Sequence, residues 1–126
     1  MVSFAGFKLE EGSPIYQQII LFFKRGLVSG SIQNGEELAS RRMLSTLLGV
    51  NPNTVQKAYA ALEEEGLIRS HTGAKSEVLL ESSTLTRLRS ELLREDVATL
   101  IRAMRQSGVS KEQALGMIEE QWEEIK

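Results

Sequence analysis

A short turn between two amphipathic segments constrains the fold of this chain more than any other feature. The turn is Gly49-Val50-Asn51, and Pro52 follows it. Asparagine is a favoured N-cap residue and proline is favoured at the first helical position, so a helix is predicted to begin here and to end at Gly66. The preceding helix is predicted to begin after the cap Ser40 and to end at Gly49. Two short helices across such a turn are typical of a helix-turn-helix.

A further helix and a β-hairpin are predicted on either side of this motif. The helix begins at Pro14, with Ser13 as its cap, and ends near Ser29. The hairpin consists of short strands at residues 67–71 and 78–80, the second within the stretch 76–81, and its connecting turn is Thr72 to Lys75. Three helices followed by a hairpin describe a winged helix.

Two longer helical patterns follow the hairpin. The first spans about Thr84 to Gln106, and the second begins with a capping box formed by Ser110 and Gln113. We therefore divide the chain into an N-terminal arm (1–12), a winged helix-turn-helix (13–82) and a two-helix tail (83–126). The predicted fold class is mainly α with a small β-hairpin: a winged helix-turn-helix domain followed by a two-helix dimerisation appendage.

The composition excludes several classes of function. The chain has no cysteine and one histidine, His71, so neither a thiolate zinc site nor a cysteine nucleophile is available. We recognise no nucleophile–base pair and no carboxylate dyad, so we expect no enzyme activity, no metal and no cofactor. No apolar run reaches the roughly 18–20 residues that span a bilayer. The first eleven residues lack a signal-peptide pattern, and a cytoplasmic protein is expected.

The distribution of charge is more informative than the net charge of −2. Between Leu38 and Leu62 the basic residues are Arg41, Arg42 and Lys57, and there is no acidic residue. Because screening limits the reach of distant charges, this locally basic stretch favours a polyanionic partner such as DNA. The alternative is a winged-helix module that binds another protein and no DNA.

The third helix is predicted to present a polar face. If Val55 points into the core, the helical period turns Asn53, Gln56, Lys57 and Ala60 outward, with Thr54 at the margin. Amides can pair with adenine edges, and a small residue allows close approach to the major groove. The alternative is a solvated face that binds nothing.

Two arginines at the start of the second helix point to phosphate. A cation in the first helical turn is disfavoured by the helix dipole by about 0.3–1 kcal/mol. Arg41 and Arg42 therefore have another role, either phosphate contact or pairing with Glu36 or Glu37. Lys75 and His71 on the hairpin are weaker candidates, and a lone histidine on a strand is more often merely solvated.

Taken together, these stretches resemble a known family. The chain resembles the DNA-binding domain of GntR-type bacterial transcriptional regulators, and within them the small YtrA-like subfamily. The resemblance extends from about Ser13 to Val78, and the tail matches the subfamily in length and pattern. The stretches that carry it are Pro14–Ile19, Leu38–Leu44, Leu48–Val55, Ala58-Tyr59, Leu62-Glu63 and Glu65–Ile68.

The resemblance implies a winged helix that binds operator DNA as a dimer, usually as a repressor. It places the family's phosphate-binding arginine on Arg42. The wing departs from the family pattern, because Glu77 replaces an aromatic residue. The recognition-helix and wing-tip contacts that it implies, together with the cations above, give the DNA-binding candidates: Arg41, Arg42, Pro52, Asn53, Thr54, Gln56, Lys57, Thr72, Gly73 and Lys75.

The tail is predicted to form a homodimer. Isolated helices are marginal in water, so the apolar stripes of the tail need a partner surface. A second copy supplies one, together with the two-fold symmetry of a palindromic operator. The alternative is that the tail folds back on its own winged helix. Whether an unidentified small-molecule effector also binds is left open. The predicted interface residues are Leu88, Leu92, Leu100, Met104, Leu115, Ile118, Trp122 and Ile125.

Overall fold

Five helices and a small antiparallel sheet make up the computed structural model, which describes residues 1–71 and 75–125. The chain divides into two compact units, Met1–Arg89 and Ser90–Lys126. This architecture confirms the predicted fold class, a mainly helical winged helix followed by C-terminal helices. The elements are α1 (Ile15–Ser29), β1 (Glu37–Leu38), α2 (Arg41–Leu48), α3 (Pro52–Glu64), β2 (Ile68–His71), β3 (Lys75–Val78), α4 (Ser82–Gln106) and α5 (Lys111–Trp122).

The helix-turn-helix has the caps that its sequence predicts. The Ser40 hydroxyl accepts a hydrogen bond from the Met43 N–H at 3.1 Å, and the Asn51 side chain accepts one from the Asn53 N–H at 2.8 Å. Gly49 ends α2 with φ 69°, in the left-handed region that favours glycine. The direction in which α3 leaves α2 is therefore fixed by local chemistry.

The start of α1 differs from the prediction. Pro14 is itself the N-cap and makes no side-chain capping bond, whereas Ser13 was expected to be the cap. The Gln18 amide donates to the Ser13 carbonyl at 2.9 Å and to the Glu10 carbonyl at 2.8 Å. This side chain therefore ties the segment that precedes α1 to the first turn of the helix. Sequence spacing alone does not reveal this arrangement.

The sheet has three strands in the order β1-β3-β2. The predicted hairpin is present as β2 and β3, which pair from Ile68 with Val78 to His71 with Lys75. Lys75 was predicted in the turn but begins β3, and β3 ends at Val78, where the predicted second strand (78–80) was expected to begin. The additional strand β1 was missed because its two residues are too few to show an alternating pattern.

The core of the first unit lies between the helices and the sheet. Ile19, Phe23, Val55 and Leu62 are fully or almost fully buried, and they bring α1 and α3 together. Leu88, on the first part of α4, is also in this core and has 0% exposure. Its predicted place in a dimer interface is therefore wrong, because no surface of this side chain remains to be covered.

The N-terminal arm packs on the winged helix. The Val2 N–H donates to the Glu37 carbonyl at 2.8 Å, beside the edge strand β1, and the Val2 side chain is buried. Phe4 stacks on Phe22 with ring centroids 5.1 Å apart, and Phe7 meets Phe22 edge-on at 5.5 Å. The arm therefore covers a sheet edge that would otherwise offer unpaired backbone groups.

The second unit contains the rest of α4 and α5. The predicted capping box at the start of α5 is present: Gln113 N–H donates to the Ser110 hydroxyl at 3.2 Å, and Ser110 N–H donates to the Gln113 side chain at 3.0 Å. Among the described residues, no helix has the length and apolar character needed to cross a membrane.

Candidate nucleic-acid interface

The outer face of α3 has the composition that the helical period predicts. Asn53, Gln56, Lys57 and Ala60 are exposed, as is Pro52 at the first position of the helix. Thr54 is half-buried, whereas Val55, Ala58 and Tyr59 on the opposite side are buried. This exposed surface, which we call the α3 face, consists of Pro52, Asn53, Gln56, Lys57 and Ala60. It offers two amides, one cation and no carboxylate.

The two arginines of α2 have different environments. The guanidinium of Arg42 is exposed and has no hydrogen-bond or ion-pair partner within residues 1–71 and 75–125. Arg41 is half-buried, and its guanidinium lies over the Tyr59 ring, 5.2 Å from the centroid. In the described part of the chain, neither arginine pairs with Glu36 or Glu37. The alternative role considered for them is therefore not observed, and Arg42 is free to bind an anion.

Tyr59 fixes the relative position of α2 and α3. Its hydroxyl donates to the Ala39 carbonyl at 2.8 Å, just before α2 begins. Burial raises the pKa of Tyr59 to about 12, and the nearby Arg41 cation opposes this shift. The phenol is therefore neutral at physiological pH and acts as a hydrogen-bond donor beneath the arginine.

Lys57 on the α3 face also lies over an aromatic ring. Its ammonium is 4.1 Å from the centroid of the Tyr16 ring, which α1 supplies. Sequence reasoning did not identify Tyr16 as part of the site. The residue lies within the matched stretch at the start of α1, but the period of α1 does not reveal a contact with another helix.

A cluster of charges lies on the sheet at the base of the wing. The Glu77 carboxylate on β3 pairs with the Arg69 guanidinium and with His71 Nε2 on β2. These hydrogen bonds hold the pKa of Glu77 below its usual value. Lys75 is exposed, and its ammonium is 3.9 Å from a Glu37 carboxylate oxygen. The cations at this position are therefore partly neutralised by the protein itself.

Thr72 and Gly73, the two predicted wing-tip contacts, lie outside the described residues. The remaining DNA-binding candidates are all placed: Arg41, Arg42, Pro52, Asn53, Thr54, Gln56 and Lys57 lie on α2 and α3, and Lys75 lies on β3.

Comparison with known proteins assigns this arrangement to a family. The model of the bacterial regulatory proteins of the gntR family matches residues 15–78. The chain belongs to the GntR family. The HTH-type transcriptional repressor YtrA of Bacillus subtilis (strain 168) is 35% identical over 109 residues, which cover 86% of this chain and 84% of YtrA.

Solved structures agree with this assignment. A GntR family transcriptional regulator from Listeria monocytogenes superposes with a TM-score of 0.78 at 29% identity, over 89% of this chain and 98% of that chain. The DNA-binding domain of AraR, solved in complex with operator ORX1, superposes with a TM-score of 0.50 at 27% identity, over 56% of this chain and 86% of that chain. The relatives are transcriptional regulators and not enzymes, and this GntR-family chain is a DNA-binding transcriptional regulator of the YtrA-like type.

The second unit of this GntR-family chain exposes many apolar side chains. Of the predicted interface residues within it, Leu92 and Met104 are half-buried and the others are exposed, with Trp122 at 75% and Ile125 at 70%. An open groove of about 670 Å³ runs along this surface. Its lining residues are Leu100, Met104, Met117, Ile118, Gln121, Trp122 and Ile125.

Proposed function

We propose that this chain is a dimeric transcriptional repressor that binds a palindromic operator through α3. The observation that carries the proposal is the exposed α3 face, which lacks carboxylates and belongs to a helix packed against α2, whose exposed Arg42 has no ion-pair partner among the described residues. The B. subtilis relative is named a transcriptional repressor, which supports repression rather than activation of transcription. The AraR DNA-binding domain was solved in complex with an operator, which supports operator DNA as the ligand of this chain.

Each subunit places α3 in one major groove. Asn53 and Gln56 carry amides that can pair with adenine edges, and Thr54 at the margin reaches a base or the adjacent backbone. Pro52 contributes no N–H at the start of the helix, and the Asn53 N–H is already bonded to the Asn51 side chain, so side chains rather than free backbone N–H groups make the contacts at this end of α3. The α3 face therefore supplies the contacts that discriminate between sequences.

The cations hold the phosphate backbone. Arg42 is the principal contact because its guanidinium is exposed and unpaired among the described residues, and Arg41 and Lys57 assist it. Such contacts release counterions, so the affinity decreases with added salt. Thr72, Gly73 and Lys75 add wing contacts to the same DNA.

The tail joins two copies. An exposed tryptophan and isoleucine at the end of a surface helix are typical of residues that anchor interfaces. A second copy that covers the groove of the second unit removes these side chains from water and gives the two-fold symmetry that a palindrome requires. We therefore assign DNA binding to residues 13–82 and dimerisation to residues 83–126, without Leu88.

The proposal is tested by fluorescence anisotropy with the full chain. The DNA is the region upstream of the gene that encodes this protein, compared with a scrambled duplex of the same composition at two salt concentrations. Tighter binding to the upstream DNA, weakened by salt, is expected. Transcription from the same fragment is expected to decrease when the protein is added. Equal binding to both duplexes, or increased transcription, contradicts the proposal.

A further inference from the structure

We propose that Tyr16 is a positioning residue for DNA binding, because its ring holds the Lys57 ammonium at the exposed edge of α3 where a phosphate is bound. This inference rests on the proposed function and assigns a role to a residue outside the helix-turn-helix. The Lys57 ammonium is 4.1 Å from the centroid of the Tyr16 ring. The two residues belong to α3 and α1, so the contact also connects two helices.

The ring restricts a side chain that is otherwise flexible. Lys57 is exposed, and its ammonium has no carboxylate partner in the part of the chain that the structure describes. A lysine that binds phosphate from a disordered state loses side-chain entropy, and a ring that already holds the ammonium reduces that loss. The ammonium has three N–H donors, so the side turned away from the ring remains available to a phosphate oxygen.

The same arrangement recurs at the start of α2. Arg41 lies over the Tyr59 ring at 5.2 Å, so Arg41 and Lys57 each rest on a tyrosine from another helix. Tyr59 is buried in the core, so removing its ring would destabilise the fold and confound a binding measurement. Tyr16 is half-buried, and within residues 1–71 and 75–125 its hydroxyl accepts only a local bond from the neighbouring Gln17 amide at 3.2 Å. Tyr16 is therefore the residue on which positioning can be tested.

The test is a double-mutant cycle on DNA affinity. The full chain is compared as wild type, Tyr16→Leu, Lys57→Ala and the double variant, with Tyr16→Phe as the matched control that keeps the ring. Immobilising a long, flexible side chain on binding weakens affinity by about two- to tenfold, so Tyr16→Leu, which removes the preorganising ring, is expected to weaken operator binding by up to that factor. In the Lys57→Ala background, the same substitution is expected to have no effect. Tyr16→Phe is expected to bind like wild type, and Lys57→Arg is expected to retain the dependence on Tyr16.

A second measurement detects the contact between Lys57 and the Tyr16 ring in the absence of DNA. In the NMR spectrum the Lys57 ε-methylene protons are expected upfield of their usual position in wild type and Tyr16→Phe, because they lie over a ring, and at the usual position in Tyr16→Leu. Circular dichroism confirms that each variant is folded.

The outcomes separate this inference from the proposed function. Additive effects of Tyr16→Leu and Lys57→Ala, or an unshifted Lys57 signal in wild type, overturn the positioning role alone. A loss in Tyr16→Phe equal to that in Tyr16→Leu also overturns it, since the hydroxyl rather than the ring would then contact DNA. A wild-type chain that binds no DNA overturns the proposed function and this inference with it.

Discussion

Replacing Trp122 with alanine tests dimerisation at its most exposed anchor. A tryptophan buries about 150–250 Å² when it is fully covered. Since 75% of Trp122 is exposed, a partner can remove roughly 110–190 Å² from water for each subunit. At about 25 cal/mol per Å², this gives ~3–5 kcal/mol as an upper limit.

The expected loss is smaller than this limit. Alanine keeps part of the contact, and ordering the tryptophan side chain costs about 0.5–1.5 kcal/mol. We therefore expect about 2 kcal/mol for each subunit and about 4 kcal/mol for the dimer, which is roughly a 10³-fold increase in the dimer Kd. Sedimentation velocity over a concentration series measures this change directly.

The matched control is Glu120→Ala, on the same helix but outside the groove. It changes a solvated side chain and leaves the apolar surface intact, so it is expected to leave the dimer Kd unchanged. If Trp122→Ala and Glu120→Ala sediment alike as dimers, the end of α5 is not in the interface. If the wild type is a monomer at every concentration, the dimer itself is refuted.

The remaining predictions concern DNA affinity and acid stability. Arg42→Ala is expected to weaken binding to all DNA and to reduce the slope of log affinity against log salt by about one, and an unchanged slope refutes the phosphate contact. Gln56→Ala is expected to cost about 1–3 kcal/mol on the operator and little on random DNA, and equal losses refute base reading. The folded-state pKa of Glu77 lies below its unfolded value of 4.5, so its stabilisation is fully present above that pH and is lost as the pH falls through the folded-state pKa. The melting temperature of Glu77→Gln is therefore expected to lie below that of wild type at neutral pH and to converge with it in acid, and a constant difference contradicts the ion pairs.

Local signals in the sequence predicted the framework of the fold. The side chains of Ser40, Asn51 and Ser110 cap the three helices they were expected to cap, because capping depends on residues only two or three positions apart. The pattern of buried and exposed residues on α3 followed the helical period, because that period relates residues only three or four positions apart. Ser13 is the exception, since its carbonyl, rather than its hydroxyl, is engaged by Gln18.

Features that depend on distant contacts could not be predicted. Val2 beside Glu37, and Phe4 and Phe7 on Phe22, unite segments that no periodic pattern connects. Leu88 fits the apolar stripe of the tail, but the packing of α4 buries it in the first unit. Only the folded arrangement shows which surface an apolar residue faces.

The division of α3 into two sides has a consequence for evolution. Val55 and Tyr59 hold the helix in the core, whereas the side chains of Asn53, Gln56 and Ala60 make no hydrogen bond or ion pair within the described residues. Substitutions at such surface positions usually change stability by less than about 0.5 kcal/mol. With the α3 face in the proposed role of reading the operator, selection for a new operator can act on one side of the helix while selection for folding acts on the other. Descendants of a duplicated gene can diverge in the genes they control through single substitutions, without passing through an unfolded intermediate.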